Sequence, residues 1–445
     1  MTRPLQNTLR KRIHQAVRSA VALLPRDWRF ALMRSMIDCD PAPDPRLELK
    51  IADTREELEA CFRILHDAYV ASGFMRPDPS GLRVTIYHAL PTTTTLCAKF
   101  DGEVVGTLSI IREGVFGFPL QTVFDLSPVR AKQGRIAEIS ALAVHPRFRQ
   151  TGGAVLFPLM KFMYEYCTRY FDTRHLLIAV NPNKIELYES LLFFERLQAS
   201  VVDNYDFANG APAIGATLDL HNAPQRFHDA YGGRSERKNL HRYFVRTRLP
   251  NIRLPLRRYH TTNDPVMTPA LLNYFFNLRT QTFSTLDERK RRLLRTIYPQ
   301  QEYLDVLPAL RTSVRASALR RHERHSIKCP AHLILTDRPR PAEELEVIEL
   351  SLHGFQAEAR SPLPLGAKGR VVVQLGAALQ SCIDAVVVRR VSNEQGLLYA
   401  FRVDEPDEAW RECVTLLRES LTHYELSRPM GEEGLVSQPA GLSAA

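Results

Sequence analysis

Residues 137–160, AEISALAVHPRFRQTGGAVLFPLM, contain the pattern that decides the fold. The run up to Val144 predicts a buried strand, and the apolar spacing from Ala154 onward predicts a helix. A short basic loop with two adjacent glycines joins them, and a carboxylate, Glu138, lies near the start of the strand. Such a loop presents backbone N–H groups at a helix N-terminus, where unpaired amides and the helix dipole favour a phosphate. The stretch therefore predicts an anion-binding loop beside an acidic group.

The segments on both sides of this stretch predict an α/β domain over residues 46–221. We expect strands at 47–51, 96–100, 104–111, 136–144, 176–180, 193–197 and 211–220, and helices at 55–71, 154–170 and 185–192. A type I′ turn is expected at Asp101-Gly102, because both central positions of that turn need positive φ. Asp53 or Thr54 is expected to cap the first long helix.

Four further segments complete the predicted organisation. Residues 1–45 form a basic amphipathic segment and a linker, 222–319 a basic helical connector, 320–425 a small all-β barrel, and 426–445 a disordered tail. Barrel strands are expected at 331–335, 345–349, 354–359, 369–375, 384–391 and 397–403, with a closing helix at 407–420. The amphipathic segment has two open interpretations: it lies on an anionic membrane, or it packs on its own protein.

Charge and cysteine content restrict the class of protein. The formal net charge is +10, with arginine clusters in residues 3–34, 234–258, 289–295 and 311–324, so an acidic partner is expected. Seven dispersed cysteines without a Cys-x-x-Cys pair indicate reduced thiols in the cytoplasm rather than disulfides or a metal site. Nucleic acid is not expected as a partner, because no nucleic-acid-binding motif is evident.

The loop and the order of elements resemble the GNAT acyltransferase superfamily. Arg149-x-x-Gly152-x-Ala154 matches that superfamily's signature for binding an acyl carrier. The resemblance implies that the strand before the loop binds the pantetheine and that the amide of Val144 stabilises the thioester oxyanion. The residues implied in binding the acyl-phosphopantetheine donor are Leu142, Val144, Arg147, Arg149, Gln150, Gly152, Gly153 and Ala154.

A narrower resemblance is to the FeeM-type N-acyl amino acid synthases, GNAT-fold relatives of the acyl-homoserine-lactone synthases. It rests on LHDAY at 65–69 followed by Gly-Phe at 73–74, the strand 137–144, NPNK at 181–184 leading to Tyr188, and the strand 213–220. Members join a long-chain acyl group, usually from acyl carrier protein, to the amine of an amino acid. The resemblance implies the same reaction here, with acyl carrier protein or coenzyme A as donor.

Two side chains are candidates for the proton transfers of this reaction. Glu138 is expected to act as general base or ammonium anchor, and Tyr188 to protonate the leaving thiolate. The alternatives are a surface carboxylate at a strand edge and a core aromatic on an amphipathic helix. His145 could also act as a base, although a His-Pro pair at a strand end is more often structural.

The sequence leaves the acceptor pocket open. Arg76, Arg112 and Arg135 are candidates for the acceptor carboxylate, and the sequence does not distinguish among them. Three phenylalanines are candidates for an acyl tunnel, although core packing explains them equally well: Phe74, Phe116 and Phe118.

A second motif set lies in the predicted barrel and resembles the PilZ domain. The PilZ signature is Arg-x-x-x-Arg followed by (Asp/Asn)-x-Ser-x-x-Gly, and PilZ domains bind cyclic di-GMP. The implied nucleotide ligands are Arg320, Arg321, Arg324, Glu349, Ser351 and Gly354. Glu349 departs from the pattern by one methylene, so a PilZ scaffold that no longer binds the nucleotide is the alternative.

These observations predict a bacterial cytoplasmic N-acyltransferase fused to a PilZ domain, with cyclic di-GMP acting through the helical connector. Expected partners are an acidic acyl carrier protein, an amino-acid substrate and cyclic di-GMP, with peripheral contact to an anionic inner membrane as a further option. No permanently bound cofactor and no metal are expected. Two alternatives remain: an acyl-homoserine-lactone synthase that uses S-adenosylmethionine, and a non-catalytic PilZ effector.

Overall fold

The computed structural model describes residues 24–132, 134–149, 151–208, 210–257, 259, 263–264, 267–298, 300–310, 325–336, 342–376, 379–393, 396–418 and 423–429. The predicted segment 1–23 therefore lies outside the described residues. Within the described ranges, no helix combines the length and the apolar character that a membrane span requires.

An eight-stranded mixed sheet forms the first part of the molecule. Its order is β1-β2-β3-β4-β5-β8-β6, and β7 pairs separately with β8. The strands are β1 (Leu47–Ile51), β2 (Thr93–Phe100), β3 (Glu103–Arg112), β4 (Arg135–Val144), β5 (Thr173–Val180), β6 (Glu195–Arg196), β7 (Val202–Tyr205) and β8 (Ala211–Asp219). The pairing of β4 with β5 is parallel, whereas the other pairings in this sheet are antiparallel.

Helices cover both faces of this sheet. They are α1 (Arg26–Ser35), α2 (Arg55–Ala71), α3 (Ser127–Arg130), α4 (Leu156–Tyr170), α5 (Pro182–Leu192) and α6 (Ala223–Tyr231). On one face, Leu159 and Phe162 of α4 belong to the same core as Leu108 of β3. On the other face, Phe62 of α2 packs in a core with Cys97 of β2. The result is a sheet between helical layers.

Local signals in the sequence explain several of these boundaries. Asp101 and Gly102 have φ values of 50° and 83°, so the turn between β2 and β3 has the positive φ angles expected of type I′. The Glu57 amide donates to Thr54 Oγ1 at 3.2 Å, which caps α2 and satisfies one amide of its first turn. Both predictions are confirmed.

The segment after α6 packs onto the sheet domain rather than hanging between domains. It contains β9 (Arg253–Arg257), α7 (Pro269–Asn273), α8 (Glu288–Ile297) and α9 (Gln301–Leu304), with π-helical turns at Arg242–Arg246 and Tyr274–Arg279. Phe275 and Leu294 share a core with Phe62, and the Asp264 carboxylate accepts a hydrogen bond from Thr94 Oγ1 at 2.6 Å. The prediction of a basic helical connector was therefore wrong at β9, because this strand forms by pairing with a segment that is distant in the sequence.

That distant segment is β16 (His423–Pro429), which pairs antiparallel with β9. The predicted disordered tail was therefore wrong for residues 426–429, because their backbone finds a partner strand in the connector. Residues 430–445 of that predicted tail lie outside the described residues.

A closed six-stranded antiparallel barrel forms the second part of the molecule, in the order β10-β11-β12-β15-β14-β13. Its strands are β10 (His325–Leu335), β11 (Glu343–Ser351), β12 (Gly354–Ala359), β13 (Lys368–Gly376), β14 (Leu379–Asn393) and β15 (Gly396–Val403). The helix α10 (Glu408–Arg418) closes it with Trp410, which is fully buried against Phe355. The predicted succession of an α/β domain and a small all-β barrel is confirmed.

One ion pair joins a strand of the sheet to a strand of the barrel. Arg135, the first residue of β4, donates to Glu346 of β11 at 2.9 Å. Both side chains are about one-third exposed, so the pair orients the two parts more than it stabilises them.

Candidate active site

The sheet divides at the centre of the site. β4 and β5 pair from Arg135 and Thr173 up to Glu138 and Leu177, after which β4 follows β3 and β5 follows β8. Ile139 on β4 and Ile178 on β5 lie just past this last pair and line the same cavity. The two strands thus diverge around a cleft whose walls carry backbone hydrogen-bonding groups.

A β-bulge lies on β4 inside this cleft. Ser140 pairs with Ser109 and Ala143 with Thr107, so two residues of β4 face a single residue of β3. Ala141, within the bulge, has a φ of 55°. Since an alanine in this region costs about 1–3 kcal/mol, the strain marks a position that the surrounding structure enforces.

The cleft opens into a cavity of about 1700 Å³. Its walls come from β4, β5, α1, α4 and α5, and most of the lining side chains are apolar. Lining residues include Met33, Glu138, Ala141, Leu142, Met160, Met163, Ile178, Val180 and Tyr188. A cavity of this size and character suits a long apolar ligand with a few polar anchors.

Glu138 is the buried carboxylate at the centre of the site, and Glu186 also lines the cavity. Its side chain is buried, with only 2% of the residue exposed, and its Oε2 accepts a hydrogen bond from the Leu120 amide at 3.1 Å. Burial raises the pKa of Glu138 to about 8, and the hydrogen bond from Leu120 lowers it in part. The alternative interpretation as an exposed strand-edge carboxylate was wrong, because the residue lies at the point where β4 leaves β5.

Tyr188 faces the same cavity from α5. The Asn181 side chain caps that helix by accepting from the Asn183 amide at 3.0 Å, which sets the helix start. The Tyr188 ring packs edge-on against Phe194, with centroids 5.9 Å apart. Burial raises the pKa of Tyr188, and the nearby Tyr69 raises it further, so the phenol stays protonated at neutral pH.

Val144 and the glycine loop lie apart from the cavity. Val144 pairs with Gly106 of β3, and its carbonyl accepts a hydrogen bond from Arg149 Nε at 2.8 Å. The structure therefore places Leu142 on the cavity wall but brings neither Val144 nor the loop to it. Arg147 is exposed, and Gln150 lies outside the described residues.

The loop has the strained backbone that its glycines allow. Gly152 and Gly153 have φ values of 65° and 91°, and Ala154 follows just before α4. A Cβ on Gly153 would lie 2.5 Å from the Phe157 ring, whereas a Cβ on Gly152 would have open space. The first turn of α4 has no side-chain cap, but the Phe157 amide donates to the Gly153 carbonyl at 2.9 Å and Pro158 has no amide, so this turn offers fewer amides to an anion than an open helix N-terminus does.

Three carboxylates surround a small cavity of about 190 Å³ beside this loop, and each is matched by an arginine. Asp38 and Asp40 pair with Arg237 at 2.6 and 3.2 Å, and Asp44 pairs with Arg46 at 2.8 Å. Hydrogen bonds from the arginines lower the pKa of Asp38 and of Asp44. The arginines therefore offset the repulsion that these carboxylates would exert on a phosphate.

The three arginines proposed for the acceptor carboxylate do not meet in the cavity. Arg112 is buried beneath the sheet, where it donates to Thr94 Oγ1 at 2.8 Å and stacks on Phe171 at 3.8 Å. Arg135 contacts the barrel, and Arg76 is exposed. Of the three phenylalanines proposed for the tunnel, Phe74 lines the cavity, while Phe118 lies in a core on the other side of β3 and Phe116 packs against the α2 core.

Sequence reasoning missed the groups at one end of the cavity. Tyr69, Tyr205 and Phe207 line it, and Arg83 stacks on two of these rings. They come from α2, from the short strand β7 and from two loops, so no periodic pattern connects them. Tyr69 alone lay in a quoted motif, LHDAY.

In the barrel, the described part of the nucleotide motif lies at the turn between β11 and β12. Ser351 Oγ donates to the Gly354 carbonyl at 3.0 Å and so closes the turn. A Cβ on Gly354 would lie 2.6 Å from the Phe401 carbonyl oxygen, which explains the glycine. Glu349 lies on β11 and is half-buried, whereas the predicted ligands Arg320, Arg321 and Arg324 lie outside the described residues.

Comparisons with known proteins agree with this architecture. Residues 60–219 match the family model described as N-acyl amino acid synthase FeeM, and residues 318–419 match the PilZ domain. The solved structure of FeeM from uncultured soil microbes is 25% identical, covering 41% of this chain and 95% of that one, with a TM-score of 0.36. A CoA-dependent acyl-homoserine lactone synthase, BjaI, is 21% identical over 43% of this chain and 90% of its own, with a TM-score of 0.32.

A more distant structure is yncA from Salmonella typhimurium, a putative acetyltransferase solved with acetyl-CoA. It is 17% identical over 39% of this chain and 94% of its own, with a TM-score of 0.28. A comparison with curated proteins gives no match. The families predicted from the sequence are thus confirmed for two parts of the chain: residues 60–219 match the N-acyl amino acid synthase FeeM, and residues 318–419 match the PilZ domain.

Proposed function

We propose that the protein transfers a long-chain acyl group from a phosphopantetheine thioester to the amine of an amino acid. The observation that carries the proposal is the buried Glu138, whose pKa is raised to about 8, at the point where β4 and β5 diverge. A general base works best when its pKa lies near the operating pH, and this carboxylate meets that condition.

The donor would enter the cleft between the two strands. A pantetheine arm is thin, extended and carries two amides, so it can pair with the backbone groups of β4 and β5 beyond Glu138 and Leu177. Its phosphate would lie at the glycine loop before α4, and its acyl chain along the apolar wall formed by Met160 and Met163.

In the reaction, ionised Glu138 takes a proton from the acceptor's ammonium group, and the neutral amine attacks the thioester carbon. A carbon–nitrogen bond forms, and the negative charge on the carbonyl oxygen is held by the backbone amides of the bulged residues that line the cavity, Ala141 and Leu142. The carbon–sulfur bond then breaks, Tyr188 donates its proton to the thiolate, and the phenolate takes up the second proton released by nitrogen. The products are the amide and the free thiol.

Product analysis tests the proposal. Purified protein is incubated with acyl-coenzyme A or with acyl carrier protein loaded with the same chain, together with the twenty amino acids or S-adenosylmethionine. Mass spectrometry should find N-acyl amino acids that are absent with Glu138→Gln. An acyl-homoserine lactone from S-adenosylmethionine would support the alternative synthase, and no product from any pair would refute acyl transfer.

For the barrel we propose binding of cyclic di-GMP, supported by the PilZ match over residues 318–419. Calorimetry of the full chain with the dinucleotide should show binding that Ser351→Ala weakens. Absence of heat in the wild-type chain would support the scaffold alternative. A route for regulation is also proposed. Glu349 and Glu346 lie three residues apart on β11, and Arg135 and Glu138 lie three residues apart on β4. The contact between Glu346 and Arg135 would therefore link the barrel to the site more directly than the connector does.

Location and carrier remain further proposals. The net charge of +10 suits an acidic acyl carrier protein and a cytoplasmic enzyme that touches the inner membrane. The helix α1 forms part of the cavity wall, and Trp28 on it and Met36 directly after it are 70% and 67% exposed, which fits peripheral membrane contact. Co-sedimentation with anionic and neutral vesicles, using wild type and Trp28→Ala, distinguishes this contact from a packed helix.

A further inference from the structure

Tyr205 carries a buried hydroxyl without a protein partner. The residue ends β7, is 3% exposed and lines the main cavity. Within the part of the chain that the structure describes, its hydroxyl makes no hydrogen bond. A buried polar group left unsatisfied costs about 1–3 kcal/mol, so an unpaired hydroxyl on a cavity wall points to a ligand that completes it.

Arg83 lies beside this tyrosine and within cation–π distance of two aromatic rings. Its guanidinium carbon lies 4.0 Å from the Tyr69 ring centroid and 5.0 Å from that of Phe207, and both rings line the cavity. One guanidinium nitrogen donates to the Phe207 carbonyl at 2.6 Å. None of the described carboxylates forms an ion pair with it, so the remaining donors of its planar fork are available to a ligand.

Tyr205 lies near both the Arg83 guanidinium and the Glu138 carboxylate. Its ring centroid lies 5.9 Å from that of Phe207, on which Arg83 stacks. Burial raises the pKa of Tyr205; Glu138 raises it further and Arg83 lowers it, so both charges lie within electrostatic range of the hydroxyl. The Tyr205 and Glu138 side chains therefore line this end of the cavity, and Arg83 lies against the Tyr69 and Phe207 rings that line it with them.

We propose that Arg83 and Tyr205 form the acceptor subsite and bind the carboxylate of an amino acid whose amine faces Glu138. The proposal rests on the proposed function and names the residues that would select its acceptor. An acceptor must carry a carboxylate next to its amine, because Arg83 binds the anion bidentately and repels acceptors that carry only positive charge. Polyamines and simple alkylamines are thereby disfavoured.

The test compares two acceptors and four enzymes. The acceptors are the amino acid that the wild-type enzyme acylates fastest and the amine that lacks only its carboxylate. The enzymes are wild type, Arg83→Gln, Tyr205→Phe and, as a matched control, Arg63→Gln. The control removes the same charge from an exposed residue outside the cavity.

Arg83→Gln should lower kcat/KM for the amino acid by about 10- to 100-fold, the range of a lost charge-assisted hydrogen bond. It should leave kcat/KM for the amine, and the KM for the thioester, unchanged. Tyr205→Phe should lower kcat/KM for the amino acid about five-fold or more without lowering the melting temperature, since its hydroxyl makes no hydrogen bond to any of the described residues. Arg63→Gln should behave as wild type.

Equal losses for both acceptors would overturn the proposal and indicate a structural role for Arg83, as would a loss of melting temperature that explains the lost activity. An unchanged amino-acid kcat/KM in Arg83→Gln would also overturn it. These outcomes require an active wild-type enzyme, so they differ from a failure of the proposed function, in which the wild-type chain acylates neither acceptor.

Discussion

Replacing Glu138 by glutamine should lower activity and raise stability at the same time. The glutamine side chain has the same shape, and its carbonyl oxygen can still accept the hydrogen bond from the Leu120 amide. It cannot take a proton from the acceptor, so turnover should fall about 100-fold, within the range that a positioned base supplies. In wild type, kcat/KM should rise with pH and level off above about 8, where Glu138 becomes ionised.

The stability effect follows from the raised pKa. An unfolded glutamate ionises near 4.5, whereas the folded one ionises near 8, so the native state binds the extra proton between these values and loses stability as pH rises through that window. Each pKa unit corresponds to about 1.4 kcal/mol, which gives an upper limit of about 5 kcal/mol above pH 8. Relaxation of the folded state around a buried charge reduces this penalty in real proteins, so we expect about 1–2 kcal/mol to be realised.

The assay is thermal unfolding of wild type and Glu138→Gln at pH 5, 7 and 9, next to acyl transfer at the same pH values. The melting temperature of the variant should exceed that of wild type by about 2–6 °C at pH 9 and by little at pH 5. A variant that acylates amines at the wild-type rate would remove Glu138 from the mechanism. A melting difference independent of pH would refute the raised pKa.

Three shorter predictions concern other parts of the molecule. Tyr188→Phe should lower kcat about ten-fold with little change in KM, because the phenol acts when the thiolate leaves. Gly152→Ala should raise the KM for the donor, whereas Gly73→Ala, which has a similar φ of 75° against 65° and equally open space, should match its stability loss of about 1 kcal/mol and leave the KM unchanged. A double-mutant cycle on Arg135→Gln and Glu346→Gln should give a coupling of at most about 1 kcal/mol in stability, while a change in the response of kcat to cyclic di-GMP would identify this contact as the regulatory route.

Much of the fold could be predicted from local sequence signals, whereas the pairing of strands that are far apart in the sequence could not. The turn at Asp101-Gly102 and the cap at Thr54 could be predicted because each depends on neighbours within four residues. The strands β9 and β16 could not, because each depends on the other across more than 160 residues of chain.

Local and long-range features differ in the same way at the site. Glu138 could be predicted because it lies on a strand with a recognisable pattern, although its burial had to come from the structure. Arg83 and Tyr205 could not be predicted, because they are 122 positions apart in the sequence and only the folded chain brings them together. Neither position belongs to a periodic pattern.

The divergence of β4 and β5 has a consequence for solubility as well as for catalysis. A sheet that opens in its middle acquires two inner edges, and unpaired strand edges ordinarily recruit other chains and aggregate. Here the edges lie inside a cavity walled by α1, α4 and α5, so these helices hinder a strand of another chain from pairing with them. The ion pair between Arg29 of α1 and Glu186 of α5, 2.5 Å long, helps to hold that wall in place. The geometry that admits a substrate thus also keeps foreign strands out.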